Sequence, residues 1–233
     1  MERTIKTTSD GSKTLYIKEL DENYHSHHGA LNEANHVFIK NGLNLINLCE
    51  INILELGFGT GLNVLVTFNE YLKNTLDDKY HKNFKINYFT AEKYPINPEE
   101  IAELNYDSLF DKEEVKNLYK NLHNSPWEKL IELAPGFSVQ KIKIDFFELK
   151  DYNLQEIDLV YFDCFGSRVQ PDLWEIPLFE IVANKMKDGG LLTTYASKGS
   201  VRRNLQSLGF VVEKKPGPPG KREMINAILK REI

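Results

Sequence analysis

Glu55-Leu56-Gly57-Phe58-Gly59-Thr60-Gly61-Leu62-Asn63 is the stretch that decides the fold. An apolar run of strand length, Ile51 to Leu56, leads into it. Gly61 to Lys73 leads out of it, with Leu62, Leu65, Val66, Phe68 and Leu72 near helical spacing. A buried strand thus passes into a helix through alternating glycines, which allow a sharp turn and a close ligand, while the helix start supplies N–H donors. The dinucleotide fingerprint G-x-G-x-x-G, aligned on Gly57 and Gly59, requires glycine where Leu62 stands, so the loop follows E-x-G-x-G-x-G instead. A glycine-rich turn can also serve structure alone; here its place and the leading Glu55 point to a cofactor.

Outward from this loop, strand-length runs alternate with amphipathic segments. Strands are expected at Lys85 to Glu92, Ser138 to Ile144, Glu156 to Asp163 and Leu191 to Tyr195, and helices at Pro177 to Lys187 and Gly199 to Leu208. Asp188-Gly189-Gly190 is expected to stop the first of these helices. Phe210 to Lys214 and Met224 to Leu229 flank Pro216-Gly217-Pro218-Pro219-Gly220, too short for a helical crossover, so this last pair must be antiparallel. The expected fold is α/β: a doubly wound, mostly parallel, seven-stranded Rossmann-like sheet ending in an antiparallel hairpin. Residues 1 to 233 read as a single domain, with residues 1 to 50 and a helical insert at 95 to 135 as appendages.

Composition is that of a soluble globular chain: 41% hydrophobic and 27% charged. No run approaches the roughly 18 apolar residues of a membrane span, and the polar start of the chain predicts no secretory signal, so cytoplasm is the expected location. Cys49 and Cys164 are too few for a disulfide framework. The net charge of −5 is uneven: from Lys198 onward nine Lys and Arg oppose three Glu, leaving +6 there and −11 on the remainder. A basic end on an acidic body suits an anionic polymer, although a solvated helix face gives the same count.

A sheet of this kind ending in a hairpin, with E-x-G-x-G-x-G after its first strand, resembles S-adenosylmethionine-dependent methyltransferases. Glu92, closing a strand, is placed to accept hydrogen bonds from both ribose hydroxyls, or is a solvated strand end. Asp145 ends another strand, where that class has the acidic residue meeting adenine, or it caps a helix starting at Phe146. Asp163 ends Leu159-Val160-Tyr161-Phe162 within reach of the transferable methyl group.

Further motifs are more specific. Tyr161-Phe162-Asp163-Cys164-Phe165, Gln170-Pro171-Asp172-Leu173-Trp174, Gly199-Ser200-Val201-Arg202-Arg203-Asn204-Leu205 and Gly217-Pro218-Pro219-Gly220-Lys221-Arg222-Glu223-Met224 resemble the methyltransferase domain of the MnmC family. So do Glu22-Asn23-Tyr24-His25-Ser26, Gly29 to Glu33, Val37 to Ile39 and Thr90-Ala91-Glu92-Lys93-Tyr94-Pro95; the resemblance covers roughly residues 15 to 230. Cys164 and Gly166-Ser167-Arg168 depart from the family pattern.

The resemblance implies methylation of the amine of 5-aminomethyl-(2-thio)uridine at the tRNA wobble position. It implies cofactor contacts from Glu55, Gly57, Phe58, Gly59, Thr60, Gly61, Asn63, Glu92, Lys93, Asp145 and Asp163. Asp163 is also the expected catalytic group, orienting the amine and accepting its proton. Phe165 and Trp174 are expected to form an apolar wall that favours the free base. Lys198, Arg202, Arg203, Lys221 and Arg222 are expected to hold an anticodon stem-loop through phosphates. With no second dinucleotide fingerprint, the resemblance implies a stand-alone methyltransferase, a separate enzyme supplying the aminomethyl uridine, and no metal. His25, His27 and His28 read as a polar loop rather than a zinc site. Two other readings are a methyltransferase or aminopropyltransferase acting on a small amine, and a non-catalytic RNA-binding relic.

Overall fold

The computed structural model describes residues 2–76, 84–154 and 156–231. A three-stranded antiparallel sheet comes first: β1 (Arg3–Thr7), β2 (Lys13–Ile17) and β3 (Glu22–Asn23), followed by the short helix α1 (Ala30–Ala34). The main sheet begins with β4 (Glu50–Leu56), which passes through the glycine loop into α2 (Leu62–Leu76) and then β5 (Lys85–Glu92). The insert contributes α3 (Pro98–Leu104) and α4 (Glu113–Asn124), and β6 (Leu130–Ala134) leads by a tight turn into β7 (Phe137–Lys143). Then come β8 (Ile157–Phe162), α5 (Ile176–Lys185), β9 (Met186–Thr194), α6 (Gly199–Ser207), β10 (Phe210–Pro216) and β11 (Glu223–Leu229).

The strand order is β10-β11-β9-β8-β4-β5-β7-β6. The five central strands pair in parallel, and β10, β11 and β6 join antiparallel. The sheet has eight strands rather than seven, because the insert ends in β6. That strand lies at the sheet edge with Leu130 48% exposed, so it lacks the buried alternation that marks its neighbours.

A second difference concerns Asp188-Gly189-Gly190. α5 ends at Lys185 and β9 already runs through these residues. The register between β8 and β9 shifts after the Ile157–Met186 pair, and Gly189 has φ 78°, so the glycines mark an irregularity inside a strand rather than a helix stop.

Period-two alternation distributes the core. Ile51 and Ile53 face one apolar cluster with residues of α2 and α4, whereas Leu54 and Leu56 face a second with residues of α5 and α6. The insert is tied to the sheet by Lys141 of β7, which is 1% exposed and donates to the Leu122 carbonyl at 2.6 Å and the His123 carbonyl at 3.2 Å. An ammonium is favoured there by the negative end of α4. Its burial pushes its pKa down to about 8.

Following the chain, β5 and β7 build outward on one side of β4, and β8 returns to pair on the other. The sheet therefore changes direction between β4 and β8, and the crevice at the carboxyl ends of these strands is where ligands bind in such folds. Register places Leu56 opposite Phe162, so Gly57 and Asp163 open side by side into that crevice.

Candidate active site

The crevice is a cavity of about 470 Å³. Its floor is the glycine loop, and one wall comes from the amino-terminal segment, residues 22 to 28. Two glycines cannot be replaced without moving the loop. Gly57 has φ 103°, and a Cβ there would lie 2.6 Å from the Asp163 carbonyl oxygen; at Gly59, φ 50°, it would lie 3.1 Å from the Tyr24 ring. Gly57, Phe58, Gly59, Thr60 and Asn63 line the cavity, as do Glu92, Lys93, Asp145, Asp163 and Phe165.

Glu92, the last residue of β5, is held by two backbone donors: Gly59 N–H on Oε2 at 3.1 Å and Tyr94 N–H on Oε1 at 2.7 Å. Its carboxylate is thereby fixed at the cavity with lone pairs to spare. Asp145 caps the short helical turn that begins at Phe146, accepting the Phe147 N–H at 3.0 Å, and pairs with Lys93 at 2.7 Å. The helix cap, the alternative to an adenine contact, is therefore present, and Asp145 also lines the cavity.

Asp163 is placed by its backbone, whose N–H donates to Leu56 O at 3.1 Å. Its carboxylate accepts Asn63 Nδ2 at 2.8 Å, and the same amide donates to Glu55 Oε1 at 2.9 Å. One asparagine thus steers two carboxyls, and its own Oδ1 is buried without a hydrogen-bond partner among the described residues. Burial, reinforced by the Glu33 charge, pushes Asp163 up to about 7 against the Asn63 hydrogen bond and Lys221. Glu55 is fully buried, accepts Thr90 Oγ1 at 2.6 Å, and is pushed up to about 8 by burial.

These shifts set a sign for stability. Both carboxyls keep protons in the fold that the unfolded chain gives up near their ordinary pKa values of about 4. Their contribution is full below that range and is lost as pH rises through about 7 and about 8. The thermal midpoint should therefore fall as pH is raised across this window, and Glu55→Gln should flatten the fall. An unchanged slope would mean that Glu55 is already ionised in the native protein.

The structure sets several of the expected residues apart from the cavity. Glu55 and Gly61 do not line the cavity; Glu55 acts behind Asn63, because a residue one before the strand end points into the sheet's helix-covered face. Trp174 is not a wall of the cavity either. It is 2% exposed, packs on Phe162 at 5.1 Å, and donates from Nε1 to the Phe165 carbonyl at 2.7 Å, so it holds Phe165 from behind. Phe165 itself faces the cavity with Tyr24 edge-on at 5.1 Å. Lys198, Arg202, Arg203 and Arg222 lie outside the cavity, whereas Lys221, grouped with them in the sequence, lines it.

Sequence reading missed Glu33, Tyr195 and the bridging role of Asn63. Glu33 and Lys221 are 188 positions apart yet form an ion pair at 2.6 Å, a contact no local pattern announces. The departures at the catalytic strand have structural partners: Cys164 is buried, and Arg168 bonds Glu22 at 3.0 Å and the Asp21 carbonyl at 2.8 Å, fastening that turn to the amino-terminal wall. Burial holds His25 neutral, at about 4. Among the described residues no group of three His, Cys, Asp or Glu is arranged to hold a metal ion, and no helix is long and apolar enough to cross a membrane.

S-adenosylmethionine fits what is present. It needs a loop that a Cβ would obstruct, a fixed carboxylate for a ribose diol, and an acidic lining for its sulfonium and amino groups; Gly57, Glu92, and the pair Asp163 and Asp145 meet these needs. Fold and cavity together define a methyltransferase that uses this cofactor. A family model described as S-adenosyl-L-methionine-dependent methyltransferase matches residues 112–230, and the chain belongs to that family.

Among curated relatives, the tRNA 5-methylaminomethyl-2-thiouridine biosynthesis bifunctional protein MnmC of Leptospira interrogans is 33% identical over 91% of this chain and 33% of its own length. The protein of the same name from Polaromonas naphthalenivorans is 29% identical over 96% of this chain and 35% of its own. The chain thus spans about a third of the length of these relatives. The crystal structure of MNMC2 from Aquifex aeolicus superposes with a TM-score of 0.75 at 26% identity, covering 100% of this chain and 72% of that one. A spermidine synthase structure shares the fold, with a TM-score of 0.54 at 11% identity.

Proposed function

We propose that this chain methylates the primary amine of a 5-aminomethyl uridine, 2-thiolated or not, at the wobble position of tRNA, and that a separate activity supplies the aminomethyl group. The similarity to proteins named for 5-methylaminomethyl-2-thiouridine biosynthesis supports the substrate. The observation that carries the chemistry is Asp163, a carboxylate at the mouth of the switch point with its pKa raised to about 7.

S-adenosylmethionine supplies a methyl group already activated on a sulfonium. The substrate amine, with a pKa of roughly 10 like a lysine, must lose a proton before its nitrogen can form the new C–N bond as the C–S bond breaks. Asp163 orients that nitrogen and takes the proton, and Asn63 fixes the carboxylate. Gly57, Phe58, Gly59, Thr60 and Asn63 with Glu92 would hold the cofactor, and Lys93 and Asp145 would meet its adenine. Phe165, braced by Trp174, limits water beside the amine. Residues 1 to 233 form one catalytic unit in this reading, with the 1 to 50 segment, which supplies a wall of the cavity, and the 95 to 135 insert as appendages to it.

Thr194, Gly199 and Glu223 bring the end of β9, the start of α6 and the start of β11 to the same sheet edge as Asp163. Lys198, Arg203 and Arg222 are exposed there and Arg202 is half-buried, which supports a reading in which these cations meet an anticodon loop whose base is turned into the cavity. Arg203→Glu combined with Arg222→Glu should raise the apparent Kd for tRNA at least tenfold or thereabouts, and lower the salt slope by about two contacts, with cofactor affinity unchanged. Filter binding over a salt series checks this; an unaltered slope and affinity would make these residues a solvated face.

A further inference from the structure

Lys221 sits on the loop joining β10 to β11, yet its ammonium is turned inward. Nζ lies 2.6 Å from Glu33 Oε1 and 3.7 Å above the centroid of the Tyr195 ring. The frame around it is fixed: Glu33 is 9% exposed and accepts the Ser26 N–H at 2.9 Å on its other oxygen, and the Tyr195 hydroxyl donates to the Cys164 carbonyl at 2.7 Å. Carboxylate and ring face together make a seat for a cation. Glu33, Lys221, Tyr195 and Asp163 all line the one cavity, so whatever is bound beside Asp163 also meets this pair.

The methyl transfer poses a charge problem that the fold has to solve. A carboxylate beside an amine favours the ammonium form, which has no lone pair with which to attack. Phe165 and Trp174 are the apolar wall expected to oppose this, and of the two only Phe165 lines the cavity. Two carboxylates, Asp163 and Glu33, would make the problem worse.

We infer that Lys221 is a positioning residue for the transfer: by holding Glu33 in an ion pair, it leaves Asp163 as the one uncompensated carboxylate facing the substrate amine. The inference rests on the reading of the substrate as a primary amine. With Lys221 in place the cluster carries a net charge of −1 when Asp163 is ionised; without it, −2. The amine then loses its proton to Asp163 more readily, forms the C–N bond, and leaves as a secondary ammonium while the sulfur departs as a neutral thioether.

The other groups around Lys221 do not compensate for its loss. Tyr195 is held neutral, since burial raises its pKa well above the ordinary value. The segment packed against the loop brings His28 against Gly220, with His27, His25 and Glu22 farther along the cavity wall. On the hairpin itself Arg222 is exposed, and Glu223 is paired with Lys214 at 2.8 Å.

The test is the pH dependence of kcat for methylation of tRNA carrying 5-aminomethyl uridine, which reports pKa values in the bound complex. In Lys221→Met the acid limb should move up by about one pH unit, so that the rate falls about tenfold near neutrality and recovers at alkaline pH. Lys221→Arg should keep the original limb. Lys221→Met combined with Glu33→Gln should restore it, because the charge balance returns although the ion pair is gone. Calorimetry should give unchanged S-adenosylmethionine affinity for all three.

A fall in rate by the same factor at every pH, or no recovery in the double variant, would overturn the inference in favour of a structural tie. A higher KM for tRNA with a shallower salt slope and an unmoved limb would overturn it in favour of a phosphate contact. If the unmodified enzyme left that tRNA unmethylated, the substrate reading would fail, and the inference with it.

Discussion

Asp163→Ala is expected to lower kcat by about 10²-fold or more, with S-adenosylmethionine binding nearly intact. The cofactor floor should survive because the contacts of residue 163 that shape it are made by its backbone: the N–H on Leu56 O, and the carbonyl packed against Gly57. What disappears is the carboxylate. An ordinary aspartate, with a pKa of about 4, is some six units too acidic to take a proton readily from an alkylamine at about 10. Burial raises Asp163 to about 7 and closes half that gap.

Asp163→Asn separates the two duties of the group. It preserves shape and an acceptor oxygen toward Asn63 but cannot accept the proton. Loss comparable to the alanine variant would assign the larger share to proton transfer, and substantial retention would assign it to orientation. Near-normal turnover of the alanine variant would remove Asp163 from the chemistry altogether.

Glu92→Ala should have the second large effect, this time on binding. Glu92 is presented to the cavity by the Gly59 and Tyr94 N–H groups, so its remaining lone pairs are aimed before any ligand arrives. Hydrogen bonds to a charged acceptor contribute roughly 1.5 to 3 kcal/mol. Loss of a ribose diol's partner should therefore weaken S-adenosylmethionine by about 10- to 150-fold in calorimetry. The variant also frees the Gly59 N–H, so Glu92→Gln is the useful companion: it keeps an acceptor without the charge and should fall between the two. Unchanged affinity in Glu92→Ala would put the ribose elsewhere.

What could be read in the sequence, and what could not, follows from range. The bounds of β5 coincide with those expected, and β4, β7, β8 and α6 differ by a residue or a few, because apolar alternation and a glycine turn are local signals. The carboxyl ends of the strands follow from that alternation, and so do Glu92, Asp145 and Asp163 at the cavity.

The errors arise where depth or distance decides. Leu130 to Ala134 is an edge strand without a buried stripe, and Asp188-Gly189-Gly190 has the composition of a helix stop but lies inside β9, where its register against β8 shifts. Glu55 and Trp174 belong to site motifs and yet stand one layer behind the site, where Asn63 and Phe165 carry their influence forward. In the sequence Lys221 is one cation among several; only its partner on α1 reveals that it faces inward.

The account depends most directly on methyl transfer to a wobble aminomethyl uridine. The measurement is mass spectrometry of nucleosides from tRNA bearing 5-aminomethyl-uridine, after incubation with this protein and S-adenosylmethionine. Conversion of that nucleoside to its 5-methylaminomethyl counterpart, heavier by one methylene and formed about 10²-fold or more slowly with Asp163→Ala, is the predicted result. A protein that binds the cofactor but leaves this nucleoside unchanged, while methylating a free polyamine in the same assay, would contradict it.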